Sequence, residues 1–83
     1  MIAVVEHGGR EVSLALDAWP PSQEDVVRAL DLFALGEYGE RRSSAVWFEP
    51  AGPGRAAAVA HLRGANRRVR LVFRIDNQGL TVK

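Results

Sequence analysis

Arg68, Arg70 and Arg74 stand two and four residues apart in the stretch RRVRLVFRID, from Arg67 to Asp76. In an extended strand that spacing sets all three on one side, and Val69, Leu71, Phe73 and Ile75 on the other. Guanidinium groups in a row repel one another, so they call for anions nearby. Those anions could be phosphates, a partner's carboxylates or the chain's own acids. The preceding stretch RAAAVAHLR, if also a strand, adds Arg55, His61 and Arg63 to the same face.

The residues that could do other chemistry are few. His7 and His61 are the only histidines and there is no cysteine, which leaves a weak metal signal and no disulfide framework. Ser43 and Ser44 lack the strand–turn–helix setting of a catalytic nucleophile. Glu24, Asp25 and Asp31 read as helix-cap and solvent-face acids rather than an acid/base pair. The GPGR run at 52–55 has neither the lysine nor the spacing of a phosphate loop. These features point away from an enzyme, a metal site, a cofactor or a small-molecule substrate.

Charge is unevenly divided. Residues 1–42 carry eight acids against four arginines, −4, and residues 43–83 carry seven bases against Glu49 and Asp76, +5, for a net charge of +1. Such asymmetry marks a nucleic-acid or acidic-partner surface, or halves that neutralise each other within one fold. Ten of the eleven basic residues are arginine, which suits bidentate pairing at interfaces and also follows from a GC-rich genome. The arginine face lacks interleaved aromatics for stacking on single strands, unless Trp47 points outward. A net charge of +1 is low for a nucleic-acid binder.

The elements that must position this face follow from pattern and punctuation. Ile2–Glu6 and Glu11–Asp17 read as strands joined by the Gly8-Gly9 turn, with Val12, Leu14 and Leu16 alternating on one side. Trp19-Pro20-Pro21 ends the second strand. Ser22 is a good N-cap, with Asp25 at the capping-box position, and a helix follows from about Gln23 to Leu35 before Gly36. Val26, Val27, Leu30, Phe33 and Ala34 form its apolar stripe, and Glu24 and Arg28 are spaced as an ion pair. Leu32 falls off the stripe and is a candidate contact for a second surface.

Ser44–Glu49 reads as a strand and PAGPG as a loop. Alanine is a strong helix former, so Arg55–Arg63 admits a helix as well as a strand. A strand is favoured by register. With GANR as a four-residue loop, Arg63 faces Arg68, Leu62 faces Val69, Ala60 faces Leu71 and Ala58 faces Phe73, inward upon inward. The tail DNQGLTVK then turns back, with Ile75 facing Leu80 and Phe73 facing Val82.

The expected fold is a single α+β domain over residues 1–83, in the order β-β-α-β-β-β-β. An antiparallel meander carries one helix on one face, and the N-terminal hairpin adds to or flanks it. One helix, about 10 Å wide, covers two or three strands spaced about 4.8 Å apart, so the sheet must curl or meet another surface. The N-terminal stretch is too short and too soon charged for a signal peptide or membrane span, which suits a cytoplasmic protein.

The expected function is that of a non-enzymatic protein-interaction module. It would be a small bacterial or phage regulatory, inhibitor or adaptor protein, with a homodimer among its expected forms. Nucleic-acid binding through the arginine face is the second reading. The partner-binding candidates are Arg55, His61, Arg63, Arg68, Arg70, Arg74 and Leu32.

Overall fold

Alternating residues, a capping box and a glycine turn account for most of the elements. The computed structural model describes residues 1–33, 45–62 and 67–76. They form β1 (Ile2–His7), β2 (Arg10–Ala15), α1 (Gln23–Leu32), β3 (Ala45–Glu49), β4 (Arg55–Leu62) and β5 (Arg67–Ile75). The strands make one antiparallel sheet in the order β2-β1-β5-β4-β3, and with the helix they form a small compact α+β domain. No helix of the described residues is long and apolar enough to cross a membrane.

The N-terminal hairpin turns on Gly8 and Gly9 at φ 58° and 81°, the pair of positive values that a two-residue turn matched to strand twist requires. This hairpin is part of the sheet. Ala3 and Val5 of β1 stand opposite Ile75 and Phe73 of β5, the edge that the sequence reading gives to Leu80 and Val82. The other edge of β5 belongs to β4, so its Phe73–Ile75 end has no place for a returning tail. The gain is burial: Ala3 and Val5 are fully buried alongside Phe73. The expected sixth strand, at 80–82, lies outside the described residues.

The alanine-rich segment is a strand, β4, in a register two residues from the expected one. Ala60 faces Val69, Ala58 faces Leu71, Ala56 faces Phe73 and Leu62 faces Arg67. Both registers set inward residues against inward residues and leave four residues between the strands, so alternation alone cannot choose between them. In the observed pairing each small alanine meets a large residue of β5, which leaves room for the helix above.

α1 begins as its sequence dictates. The Ser22 hydroxyl accepts from the Asp25 N–H at 3.2 Å, and the Asp25 carboxylate accepts from the Ser22 N–H at 2.8 Å. Val26, Ala29, Leu30 and Phe33 are buried against the inner residues of the sheet in one apolar cluster. The helix is described through Leu32, with Phe33 as its C-cap; the stretch expected to continue it to Leu35, and Ala34 on its stripe, lie outside the described residues. Arg28 does not use Glu24 as its partner. It donates to Asp25 at 2.6 Å and to the Ala15 carbonyl at 2.8 Å, which ties α1 to the end of β2. At the other end of the helix, Phe33 packs edge-on against His7 and under Arg10, each at 5.7 Å. The helix thus runs alongside the N-terminal hairpin, yet it also touches β3. In a flat sheet β2 and β3 would be about 19 Å apart, more than a helix about 10 Å wide can reach, so the sheet curls towards α1.

Asp25 makes part of this stability pH-dependent. Burial pushes its carboxyl up, but the Ser22 N–H, the Arg28 guanidinium and the Ser22 hydroxyl together outweigh burial and hold it below its ordinary value. A carboxyl lowered in the fold stabilises above its unfolded pKa of about 3.9 and loses that contribution as pH falls through the folded value. Asp25→Asn should therefore cost about 1 kcal/mol in urea unfolding at about pH 7, with the gap to wild type closing below about pH 4. An undiminished gap at about pH 2.5 would show that the charge of Asp25 is not what stabilises the cap.

Candidate functional site

Pairing fixes which side chains share the outer face of the sheet, the face away from α1. Reading across from β2 to β3, one row holds Glu11, Glu6, Val72, Ala57 and Glu49. The neighbouring rows hold Ser13, Val4, Arg74 and Arg55 on one side, and Arg70, Val59 and Trp47 on the other. Beyond these stand Arg68, His61 and Ala45. Five of the candidate residues, Arg55, His61, Arg68, Arg70 and Arg74, thus lie on one surface. His61 stands opposite Arg68 rather than Arg70, a consequence of the two-residue register shift. Arg63 lies outside the described residues. Leu32, 49% exposed, sits on α1 and therefore on the opposite side of the sheet from the arginines.

The chain's own acids answer most of the arginine row. Glu6 and Glu11 face each other directly, which would be repulsive without a cation between them. Arg74 supplies it, with Nη2 3.3 Å from Glu11 and Nε 3.5 Å from Glu6. The hydrogen bond that Arg74 donates to Glu11, with help from the one to Glu6, raises the Arg74 pKa above its ordinary value against an opposing effect of desolvation. Arg70 reaches over β4 to Glu49 on β3, at 3.7 Å. Beneath that bridge Ala57 is fully buried and Val59 is 7% exposed, although both point outward. The outer face is therefore a mosaic with an apolar floor, and a bound polyanion would have to compete with three glutamates.

Trp47 is the residue whose direction the sequence leaves open. It stands opposite Val59, so it faces outward, and the Arg68 guanidinium lies 5.8 Å from its ring centroid. That distance is within reach of a cation–π contact. Its neighbour Phe48 points to the inner face and is 43% exposed, while Trp47 is 38% exposed. Both belong to β3, which ends the sheet, so among the described residues one edge of this strand has no partner. Sequence pattern marks β3 as a strand, but its edge position depends on pairings that local pattern does not encode.

A depression of about 580 Å³ opens at the hairpin turn, lined by Glu6, His7, Arg10, Glu11, Arg70 and Val72 with the two glycines. Among the described residues its lining contains no serine, threonine, cysteine or lysine nucleophile. His7 is engaged there: its Nδ1 lies 3.2 Å from the Arg70 carbonyl oxygen. The depression can hold a small charged molecule, and among its described lining residues no nucleophile–base pair converges. Among the described residues no three of His, Cys, Asp or Glu group so as to hold a metal ion. Comparison with protein-family models, with curated proteins and with solved structures finds no match, so function must be read from these surfaces.

Proposed function

We propose that this chain is a non-enzymatic protein-interaction module, a small cytoplasmic regulatory, inhibitor or adaptor protein that engages its partner along β3. The observation that carries this reading is the pair of aromatics, Trp47 and Phe48, both more than a third exposed on a strand whose outer edge has no partner among the described residues. Open apolar edges invite strand addition, and natural proteins usually blunt them with charge. β3 carries one charge, Glu49 at its end. The arginine face supports partner binding less well, because Glu6, Glu11 and Glu49 already engage Arg70 and Arg74.

Nucleic-acid binding stays as the second reading on one specific observation: Trp47 is turned outward beside Arg68, with His61 next to it. An aromatic beside a guanidinium is the unit on which a single-stranded base stacks. Both readings are tested with the tagged chain in a bacterial extract, comparing wild type with Phe48→Lys and with Arg68→Ala. The protein reading expects a captured protein that Phe48→Lys releases and Arg68→Ala retains. Capture of RNA or DNA that Arg68→Ala releases, and that weakens steeply with salt, would replace it by the second reading.

A further inference from the structure

Resting on the reading of β3 as the interaction edge, we infer that its occupant is β3 of a second copy of this chain. The two strands run antiparallel about a two-fold axis at Trp47 and continue the sheet across the dimer. The strand AVWFE is self-complementary in that register. Trp47 meets Trp47 of the second copy, Val46 meets Phe48, and Ala45 meets Glu49. Residues opposite each other in an antiparallel pair point to the same face. The outward Trp47 therefore meets an outward tryptophan, and the inward Val46 and Phe48 meet each other on the helix side. Aromatic and aromatic–β-branched cross-strand pairs are the favourable ones.

Charge agrees with this register. Glu49 is the one charge on β3, and the pairing sets it opposite an alanine rather than its own image. Beyond that alanine, in the same outer row of the second copy, come His61 and then Arg68. Glu49, bridged to Arg70 of its own chain, therefore meets no like charge at either end of the joint. The sheet's other edge, also without a partner among the described residues, is different. β2 exposes Arg10, Glu11 and Ser13, the kind of polar edge that discourages pairing. A five-residue strand has a small footprint, so association belongs at the weak end of specific interfaces and should be followed from about 1 µM to about 1 mM.

The chain has no cysteine, which permits a test of register as well as of stoichiometry. Two single variants, Ala45→Cys and Glu49→Cys, are prepared separately, mixed and allowed to oxidise. In the inferred register residue 45 lies beside residue 49 of the second copy, within disulfide reach, whereas two copies of residue 45 are about 13 Å apart. The expected result is a mixed 45–49 disulfide in large excess over either self-disulfide. Sedimentation equilibrium of the unmodified chain should show a concentration-dependent dimer that Trp47→Lys and Phe48→Lys each weaken at least tenfold. Unchanged circular dichroism of these variants would show that the fold is intact. A monomer throughout the range, or a dimer that ignores both substitutions and cross-links without register preference, would overturn the inference. If the chain is monomeric yet still captures another protein that Phe48→Lys releases, the second copy is excluded while the interaction reading stands.

Discussion

Phe73→Ala should lower stability by about 3 to 5 kcal/mol, the range for emptying an aromatic site in a packed core. Phe73 is fully buried on β5, between Val5 of β1 and Ala56 of β4, and belongs to the cluster shared with Val26, Leu30 and Phe33 of α1. Its ring therefore joins the N-terminal hairpin, the meander and the helix. Domains of this size are stable by about 0.05 to 0.15 kcal/mol per residue, so the loss ranges from about a quarter of the total to all of it. Val72→Ala, the next residue but on the half-buried outer face, should cost well under that, about 1 kcal/mol or less. Urea unfolding of the two variants checks the pair. A loss below about 1 kcal/mol for Phe73→Ala would mean that the cluster is not the folding core.

The same residue shows what local pattern can and cannot carry. Alternation along Arg67–Ile75 is enough to say that Phe73 is inward, and it is. The Gly8-Gly9 turn and the Ser22–Asp25 box are legible for the same reason, each depending on residues within a few positions of one another, whereas the strand at β4 has to be inferred from pairing with β5 against the helix preference of its alanines. The neighbour of β5 is not legible in that way. The nearby tail and the distant N-terminal strand both offer apolar alternation, and the choice rests on the core that Ala3 and Val5 complete. The register of β4 escapes for another reason, since a slip of two residues preserves every face.

The candidate site was legible to the same depth. Arg68, Arg70 and Arg74 are on one face because their spacing requires it. That Glu6, Glu11 and Glu49 would meet them depends on β1 and β3 flanking the β4–β5 hairpin, a tertiary fact. Long-range pairing also turned Trp47 outward and left Phe48 at an edge. The signal available in sequence was the low charge of AVWFE, in which Glu49 is the one charged residue.

Ala60→Leu should cost about 1 to 3 kcal/mol, because added methylenes in a filled core displace their neighbours. Ala60 is fully buried on the inner face, set between Val46 of β3 and Val69 of β5, with the helix cluster above. Its partner on β5 is Val69 rather than Leu71, so the added volume presses on the Leu62 end of the hairpin. Ala57 is the informative comparison. It is equally buried, but on the outer face, between Val72 and Glu49 in its row, where the Arg70–Glu49 bridge crosses β4. A β-branched residue there can push the bridge aside into water. An exposed ion pair of that kind is worth about 0 to 1 kcal/mol, and the strand preference of valine offsets part of it. Ala57→Val should therefore leave stability within about 1 kcal/mol of wild type while Ala60→Leu does not. Thermal and urea unfolding of the two variants measure the difference. Equal and large losses would mean that both faces of β4 are closely packed, which would leave the outer surface with no room for a partner.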